Sequence, residues 1–439
     1  MTQSQDNSGS RHRVVILGGG FGGMEAAKAL RQAPAEVTLV DRRNYHLFQP
    51  LLYQVATGGL SAADIAIPLR QILRRQANAR VRMAQVAGIE PGKRLVVTDR
   101  GEIPYDTLVV AVGASHSYFG NESWERFAPG LKDLENAAEI RARILSAFEM
   151  AEQETNPAAR REWLSFVIIG AGPTGVELAG TLGEISRDTL RGDFRNIRTE
   201  EASIFVLDLA SRVLPGFPGD LSSAAEHSLI RLGVRPVNGV RVVDVDHRGV
   251  TFERQGRRER IAARTVIWAA GVQANPLGKI LSERTGAPLD RAGRLLVEPD
   301  CSLPGHPEIL VIGDLACFRT AGGQALPGLA PVAMQQGRYA GKLIAARLRG
   351  QSLPPFRYKN KGTLATIGRH HAVADFGRLH VHGAPAWFLW LFVHLLYLVG
   401  FQNRVLVAIQ WAFHYFSFSR RARLIVPPPS AEPGVDEQA

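Results

Sequence analysis

Two glycine-rich motifs constrain the fold of this chain more than any other feature of its sequence. They are Gly18-Gly-Gly-Phe-Gly-Gly23 and Gly170-Ala-Gly-Pro-Thr-Gly175. Each follows an apolar run typical of a buried strand and precedes a helical pattern. In such a unit the glycines permit a sharp turn, a close approach to a pyrophosphate and close packing of helix on strand. The sequence therefore predicts two Rossmann-like units, each with a dinucleotide at the N-terminus of its helix.

An acidic residue ends a later strand in each unit. Asp41 follows an apolar run about 18 residues after Gly23, the spacing expected of a carboxylate that binds an adenosine ribose. Asp208 ends a similar strand but lies about 33 residues after the second motif, more than the usual ~20, because the charged segment 187–201 intervenes. A carboxylate repels a 2′-phosphate, so Asp208 favours NADH over NADPH, whereas the nearby Arg212 leaves NADPH open.

The second unit repeats the plan of the first. Each continues through a hairpin region, 81–97 or 240–252, to an apolar strand that ends at Gly113 or Gly271. A later apolar strand leads to Gly313-Asp314. Because the strand ends of a parallel sheet face the ligand crevice, we expect Asp314 in the first nucleotide site. The second unit is therefore predicted to be inserted in the first.

Composition indicates a globular enzyme with a basic surface. The 439 residues are enough for two or three domains, and the formal net charge is +11. Nucleic acid or an acidic membrane surface would suit this charge, but the basic residues are scattered and resemble no nucleic-acid-binding module. The chain opens without a cationic segment and a following apolar run, so we expect no secretory signal and a cytoplasmic location.

Cysteine and histidine usage argues against thiol and metal chemistry. Cys301 and Cys317 form no C-x-x-C pair, which excludes a dithiol centre and a cysteine zinc site. Both are interpreted as buried small residues in a reducing compartment. The adjacent His370 and His371 point in different directions, so we expect no metal site.

The arrangement resembles that of flavoproteins with two dinucleotide-binding domains, in which an FAD domain contains an inserted NAD(P)H domain. The resemblance covers about residues 12 to 370. It implies FAD on the first unit and NADH on the second, and we expect the FAD to be noncovalent because the first glycine motif contains no histidine or cysteine. By position, the FAD residues are Gly18, Gly20, Gly23, Asp41, Gly113 and Asp314. The NADH residues are Gly170, Gly172, Gly175, Asp208 and Gly271.

Four stretches indicate a particular protein family more specifically than the glycine motifs do. They are residues 44–58, 170–180, 330–337 and 361–369. With them the chain resembles the type II NADH dehydrogenases, the single-chain NADH:quinone oxidoreductases, which implies a membrane quinone as electron acceptor. The third stretch departs from the A-Q-x-x-x-Q pattern of that family, because Pro331 stands in place of the first glutamine while Gln335 keeps the second.

Redox chemistry through a flavin requires no side-chain nucleophile. Glu177, one turn into the second helix, is a candidate for orienting the nicotinamide or relaying a proton. An acid that stabilises a helix N-terminus is the other interpretation. Gln335 and Lys361 are quinone-side candidates by resemblance, and plain solvent exposure is the alternative for Lys361.

Residues 379–426 are predicted to contact a membrane. Asp, Glu, Lys and Arg are missing from 379–403 and from 405–418, and arginines follow at 420, 421 and 423. Each run is interrupted or shorter than the ~20 residues of a spanning helix. We therefore expect an anchor in the interface that binds anionic lipid, with a buried hairpin or a spanning helix as alternatives. The aromatic residues expected at the bilayer–water boundary are Trp387, Trp390, Tyr397, Trp411 and Tyr415.

Together these patterns predict an α/β protein with an NADH domain inserted in an FAD domain and a C-terminal membrane-associating helical region. The predicted segments are a disordered tail (1–11), the FAD domain (12–163 and 273–378), the NADH domain (164–272), the membrane region (379–426) and a disordered tail (427–439). We expect electron transfer from NADH to quinone without proton pumping, at the cytoplasmic face of the membrane. A reductase for ferredoxin- or rubredoxin-type proteins or a soluble acceptor, and a non-enzymatic flavoprotein that senses NADH, are the alternatives. The oligomeric state, a homodimer included, is left open.

Overall fold

The computed structural model describes residues 11–417 and 422–425, without the side chains of 401 and 414–417. The predicted tails, 1–11 and 427–439, lie outside the described residues except for Arg11. The described residues form two compact units. Unit 1 comprises 11–47, 66–115 and 272–360, and unit 2 comprises 48–65, 116–271, 361–417 and 422–425. The domain boundaries given by the sequence stay predictions.

The bounds of the strands and helices are as follows. The strands are β1 (His12–Leu17), β2 (Ala35–Asp41), β3 (Tyr45–Leu47), β4 (Ala66–Pro68), β5 (Ala79–Met83), β6 (Val86–Glu90), β7 (Leu95–Thr98), β8 (Gly101–Pro104), β9 (Thr107–Val110), β10 (Ala114–His116), β11 (Ser165–Ile169), β12 (Ser203–Asp208), β13 (Val234–Asn238), β14 (Arg241–Asp246), β15 (Gly249–Arg254), β16 (Arg257–Ala262), β17 (Thr265–Trp268), β18 (Val272–Ala274), β19 (Leu295–Leu296), β20 (Ser302–Leu303), β21 (His306–Val311), β22 (Ala316–Cys317), β23 (Thr363–Thr366), β24 (Ala372–Asp375) and β25 (His380–Gly383). The α-helices are α1 (Phe21–Ala29), α2 (Leu52–Ala56), α3 (Ala62–Ile65), α4 (Leu69–Leu73), α5 (Leu134–Gln153), α6 (Pro157–Trp163), α7 (Pro173–Glu184), α8 (Gly219–Arg231), α9 (Leu277–Thr285), α10 (Ala330–Arg347), α11 (Ala384–Tyr397) and α12 (Phe401–Ser417).

Unit 1 is centred on a six-stranded sheet in the order β20-β21-β9-β1-β2-β5. Its neighbours pair in parallel except for β20 and β21. The inner strands read as continuous apolar runs because both of their faces are buried; all four residues of β9, for example, are buried. Helix α1 follows β1 and packs on α10.

Small residues allow α1 and α10 to approach closely. A Cβ atom on Gly341 would lie 2.5 Å from the Cβ of Ala29, and one on Gly337 would overlap the backbone of Gly22. The stretch 330–337, quoted for its family resemblance, therefore has a packing role against the helix that follows the first glycine motif.

Unit 2 contains a four-stranded parallel sheet in the order β13-β12-β11-β17. This is the order β5-β2-β1-β9 of unit 1, so the predicted duplication and the predicted α/β architecture are confirmed. Unit 1 also holds the antiparallel sheet β6-β7-β8, and unit 2 holds β14-β15-β16. The first predicted hairpin began too early, because residues 81–83 belong to β5, which pairs in parallel with β2.

The C-terminal part of unit 2 is an antiparallel sheet, β23-β24-β25, followed by α11 and α12. Helix α11 packs on all three strands and contacts α12. Within residues 11–417 and 422–425, none of the helices combines the length and the apolar character that a membrane crossing requires.

Candidate nucleotide-binding and acceptor sites

The first glycine motif forms the turn between β1 and α1. Gly18 has a φ of +99°, and a Cβ there would overlap the carbonyl oxygen of Ala111, so glycine is required. A Cβ on Gly23 would overlap the Gly18 carbonyl oxygen. By contrast, a Cβ on Gly20 would meet no atom within 4 Å. The turn is therefore closed on its sheet side and open at the N-terminus of α1, where helix N–H groups can bind a pyrophosphate.

The second motif repeats this geometry between β11 and α7. Gly170 has a φ of +108°, and a Cβ there would lie 2.7 Å from the backbone of Ala269. A Cβ on Gly175 would overlap the Gly170 carbonyl oxygen, whereas one on Gly172 would meet no atom within 4 Å. Both motifs thus offer the same open place for a pyrophosphate.

Asp41 lies at the end of β2 beside the first turn. Its Oδ2 accepts a hydrogen bond from the N–H of Gly19 at 2.6 Å, and its Oδ1 accepts one from the N–H of Arg43 at 2.8 Å. The carboxylate is therefore held at the edge of the glycine turn, where the sequence predicted a ribose ligand.

Asp208 occupies the equivalent place in unit 2. Its Oδ2 accepts from the N–H of Ala171 at 2.5 Å, and its Oδ1 accepts from the N–H of Ala210 at 2.7 Å. The structure brings Asp208 to the second turn in spite of its long spacing, because the segment 187–201 lies between α7 and β12 and leaves the pairing of β12 with β11 intact.

Arg212, the residue that kept NADPH as an alternative donor, is hydrogen-bonded within its own loop. Its guanidinium donates to the carbonyl oxygens of Phe217 at 2.9 Å and Pro215 at 3.3 Å. These bonds hold the loop between β12 and α8 closed.

His46 supports the first turn and was not singled out by the sequence. Its Nδ1 lies 2.8 Å from the carbonyl oxygen of Gly19, and the ring of Phe21 contacts it edge-on. The β3–β4 pair places His46 opposite Ile67. Burial lowers the pKa of His46, so its ring is neutral at neutral pH. In the sequence, the position of His46 within the family stretch 44–58 was the one indication of a role for it.

The predicted strand-end residues lie at the expected edges of the sheets. Gly113 follows β9, and a Cβ there would meet no atom within 4 Å. Gly271 follows β17, but the ring of the exposed Phe119 lies over it, within 2.5 Å of where a Cβ would be. Phe119 had no sequence signal that pointed to this position.

Asp314 lies in a helical turn, Gly313–Leu315, after β21, which pairs with β9. The turn is held by Gln336, whose buried Oε1 accepts from the Gly313 N–H at 2.8 Å. Gln336 was missed because the family pattern drew attention to its neighbour Gln335.

Glu177 lies on α7, the helix that follows the second turn. Its Oε1 accepts from the N–H of Thr366 at 3.4 Å, and burial raises the pKa of Glu177 to about 8. Two turns further along α7, the buried Glu184 accepts from the N–H of Arg369. The stretch 361–369 is thereby attached to α7 at two points, and Glu177 is protonated at neutral pH.

The other two candidates for catalysis, Gln335 and Lys361, have different surroundings from those of Glu177. Gln335, in unit 1, is paired through its amide with the backbone N–H and carbonyl of Lys359, each at 3.0 Å. Lys361, in unit 2, donates from Nζ to the hydroxyl of Tyr397 at 3.2 Å. Pro331 lies in the first turn of α10, a position that needs no N–H donor.

Comparison with known proteins identifies the family. The pattern of the pyridine nucleotide-disulphide oxidoreductases matches residues 12–337, and that of the NDH2 C-terminal domain matches residues 360–421. The chain is 46% identical over 425 residues to the type II NADH:quinone oxidoreductase NdhA of Mycobacterium tuberculosis, covering 94% of this chain and 89% of the relative. It is 43% identical to Ndh of the same organism, covering 95% and 90%. The chain belongs to the type II NADH:quinone oxidoreductases.

Solved structures agree on the fold of this type II NADH:quinone oxidoreductase. The NDH2 of Plasmodium falciparum in complex with NADH superposes with a TM-score of 0.86 at 19% identity, covering 95% of this chain and 100% of that one. The predicted family, α/β fold class and the two cofactors, FAD and NADH, are confirmed. None of the matches favours the ferredoxin-reductase or NADH-sensing alternatives.

The C-terminal tryptophans of this enzyme do not lie where the sequence predicted them. Trp387, Trp390 and Trp411 are at most 9% exposed, so they cannot form an outer aromatic belt. Smaller apolar side chains form the exposed faces instead. On α11 they are Phe388, Phe392 and Leu396, here called the α11 stripe, at 58%, 59% and 52% exposed. On α12 they are Val405, Ile409 and Phe413, here called the α12 stripe. The prediction failed because the large indoles fill the interior face of the helix pair.

The C-terminal arginines and Tyr415 were also predicted to contact the membrane, and the structure describes only part of this group. Arg423 forms an ion pair with Asp193 at 2.5 Å, so its charge is matched within the protein. Arg420, Arg421 and the side chain of Tyr415 lie outside the described residues.

The cysteines of this enzyme are free and buried. Burial raises the pKa of both Cys301 and Cys317, which keeps them as unreactive thiols. Among residues 11–417 and 422–425, no three His, Cys, Asp or Glu side chains are grouped so that they could hold a metal ion.

Proposed function

We propose that this enzyme works as a peripheral membrane protein at the cytoplasmic face, where it passes electrons from NADH through FAD to a membrane quinone without proton pumping. The observation that carries the proposal is the pair of matching glycine turns, each open at its central glycine and each flanked by a carboxylate. Family membership supplies the reaction, and the following paragraphs assign residues to it.

The first turn fits the pyrophosphate and ribose of FAD. The open space at Gly20 leaves room for phosphate oxygens at the N-terminus of α1. Asp41 would bind the adenosine ribose, and Gly113 and Asp314 lie at the strand ends nearest the same edge of the sheet. Bound FAD supplies the redox chemistry, because its flavin can take electrons from NADH and pass them to quinone.

The second turn fits NADH better than NADPH. Asp208 would bind the ribose hydroxyls and would repel a 2′-phosphate. Arg212 offers no compensation, because its guanidinium is bound to carbonyl oxygens of its own loop. Gly170, Gly172, Gly175 and Gly271 would shape the nucleotide site around them.

Glu177 contributes a neutral carboxyl to the NADH unit. Since the pKa of Glu177 is raised to about 8, the group can donate a hydrogen bond at neutral pH as well as accept one. We assign it to orienting the nicotinamide or holding a proton for the reaction. Its raised pKa and its hydrogen bond from Thr366 distinguish it from a solvated acid that only stabilises a helix N-terminus.

On the acceptor side, Gln335 and Lys361 are fixed rather than free. The Gln335 amide is bound to the Lys359 backbone, and Lys361 contacts Tyr397 on α11. We assign Gln335 to holding the backbone around Lys359 and Lys361 to the quinone side of α11. Pro331, one turn before Gln335 on α10, removes a side-chain amide, so either a main-chain group replaces it or acceptor binding differs in hydrogen bonding from the family pattern.

The exposed α11 and α12 stripes support membrane contact. Their members follow at intervals of four residues, so each stripe runs along one side of its helix. Polar groups on α12 face the other way and hold it in unit 2: Asn403 donates to the Asp64 carbonyl oxygen at 2.9 Å, and Trp411 donates to Gln54 at 2.8 Å. An amphipathic helix pair of this kind suits the interface of a bilayer, and a homodimer that covers the stripes is the competing arrangement.

Two experiments test these assignments. Purified enzyme with bound FAD should reduce a panel of benzoquinones and naphthoquinones with NADH, and a protein that reduces only soluble dyes would contradict the quinone assignment. For the membrane, the double variant Phe388→Asp/Phe392→Asp should reduce flotation with anionic liposomes. Ile230→Asp is the matched control, because Ile230 is similarly exposed, at 56%, but lies on α8. Equal flotation of both variants would contradict membrane contact through the stripes. Concentration-dependent dimers that the double variant abolishes would assign the stripes to a subunit interface.

A further inference from the structure

A buried hydrogen-bond donor without an acceptor lies on α11. The indole Nε1 of Trp390 is fully covered and has no acceptor among the described residues. The ring of Trp390 stacks on the ring of His394, with centroids 4.2 Å apart and planes at 29°. Most buried polar atoms in proteins are paired, and leaving one unpaired is unfavourable. The covered N–H therefore points to a group that completes the site.

The neighbouring tryptophan shows that the surroundings can supply an acceptor. The ring of Trp411 lies 5.5 Å from that of Trp390, and its Nε1 donates to Gln54 Oε1 at 2.8 Å. Both indoles are at most 9% exposed. One of two adjacent tryptophans is thus satisfied by the protein and the other is not.

His394 provides an acceptor beside this donor. Its Nδ1 lies 2.7 Å from the carbonyl oxygen of Trp390, and burial lowers the pKa of His394 to about 4. The ring is therefore neutral, with its proton on Nδ1 and a lone pair on Nε2. No donor among the described residues reaches that lone pair. The ring of Phe48 lies edge-on to His394, so the surroundings are otherwise aromatic.

The pair shares a helix face with a group already assigned to the quinone side. Trp390, His394 and Tyr397 are separated by four and three residues, so they lie on one side of α11. Lys361 Nζ donates to the Tyr397 hydroxyl at the end of this face. The α11 stripe lies on the opposite side of the helix.

We propose that Trp390 and His394 bind the quinone head group, with the indole N–H donating to a ring carbonyl oxygen and Nε2 of the imidazole accepting from a hydroxyl of the quinol. A quinone is planar and apolar apart from these oxygens, which suits a donor and an acceptor set among aromatic rings. Because Nε1 is covered, binding requires a small rearrangement of the rings. The inference rests on the proposed quinone reduction and adds two positioning residues that lie outside the four family stretches.

Isosteric variants test the inference with the FAD-loaded enzyme. Trp390→Phe keeps an aromatic ring and removes the N–H, and His394→Phe removes both ring nitrogens. Trp390→Phe should raise the KM for a short-chain benzoquinone about 2- to 12-fold, and His394→Phe should raise the inhibition constant of the corresponding quinol by a similar factor, the range of one neutral hydrogen bond. FAD content and kcat/KM for NADH with ferricyanide as acceptor should stay within about twofold. Trp387→Phe is the matched control on the same helix and should leave the quinone KM unchanged.

A spectroscopic readout separates binding from a merely structural role. In enzyme labelled with ¹⁵N-tryptophan, the Nε1–H resonance missing from Trp390→Phe should shift when the benzoquinone is added, while that of Trp411 stays in place. If Trp390→Phe does not fold, His394→Phe and this resonance, assigned by selective labelling, decide the question. An unchanged quinone KM in Trp390→Phe, an unchanged quinol inhibition constant in His394→Phe, or a Trp390 resonance that does not shift at saturating quinone overturns the inference while quinone reduction stands. An unmodified enzyme that reduces ferricyanide but no quinone overturns the proposed function as well.

Discussion

Replacing Asp208 by asparagine should abolish the preference of this enzyme for NADH over NADPH. The carboxylate is held by the N–H groups of Ala171 and Ala210 at 2.5 and 2.7 Å, so it has one position at the edge of the second glycine turn. Asparagine keeps the shape and one acceptor oxygen but removes the charge. The variant also loses one of the two acceptor oxygens that bind Ala171 and Ala210, but this loss is common to both donors, so the ratio of kcat/KM for NADH and NADPH isolates the repulsion between Asp208 and a 2′-phosphate.

The expected magnitude follows from Coulomb's law. At a separation of about 5 Å and an effective dielectric constant of about 20, two unit charges repel by about 3 kcal/mol. Asp208 is only partly buried, so solvent and salt should reduce this to about 1.5–2.5 kcal/mol. At about 1.4 kcal/mol per factor of ten, the repulsion corresponds to a preference of about 12- to 60-fold.

The assay compares kcat/KM for NADH and NADPH at a fixed quinone concentration and two ionic strengths. The unmodified enzyme should prefer NADH by the stated factor, and the preference should shrink at higher salt. Asp208→Asn should bring the two values within about threefold of each other. Asp41→Asn is the matched control, since Asp41 is held by two N–H groups in the same way. It should weaken FAD retention and leave the ratio unchanged.

Two results would refute this reasoning. Equal kcat/KM for both donors in the unmodified enzyme would show that no group opposes the 2′-phosphate. A preference that survives in Asp208→Asn would place the discrimination elsewhere in the nucleotide site. Separately, an increased NADH preference in Arg212→Ala would contradict the finding that Arg212 is occupied by its own loop, because it would show that Arg212 assists NADPH binding in the unmodified enzyme.

Three further predictions concern groups whose pKa is shifted. Glu177 has a pKa of about 8 in the folded enzyme but its ordinary pKa of 4.5 when unfolded, so its contribution to stability falls as pH rises between these values. Glu177→Gln should therefore lose less stability than the unmodified enzyme across that range, and parallel melting curves would argue against the raised pKa. His46→Phe leaves the Gly19 carbonyl without its hydrogen-bond partner and should lower the free energy of unfolding by about 1–3 kcal/mol. It should also weaken FAD binding to the apoprotein, and calorimetry can measure both effects. An unchanged FAD affinity would restrict His46 to packing. The double variant Cys301→Ala/Cys317→Ala should keep NADH:quinone turnover within about twofold, because both thiols are buried and have a raised pKa. Loss of turnover with FAD retained would indicate that the cysteines take part in the reaction.

The local sequence determined the two nucleotide turns because their chemistry is contained in a few adjacent residues. A strand, a left-handed glycine and a following helix fit together at a fixed spacing, so Gly18 and Gly170 could be assigned without knowledge of the rest of the chain. The duplicated order of the parallel strands followed for the same reason, since each unit repeats one local pattern. The buried state of the two cysteines was also predictable from their isolation in the sequence.

The tertiary structure decided what depends on contacts between distant residues. Asp208 reaches the second turn only because β12 pairs with β11, which the long insertion concealed. His46 and Gln336 became visible as supports of the glycine and Gly-Asp turns when distant strands and helices brought them there.

In the C-terminal helices, residue type alone did not predict which side chains are buried. The sequence placed the tryptophans at the membrane boundary because indoles favour that position. In the structure Trp390 and Trp411 are buried, and Phe388 and Phe392 are exposed instead. Both faces of α11 are apolar, so its own sequence could not say which one packs inward. Only the packing of α11 against the β23–β25 sheet and α12 made that choice.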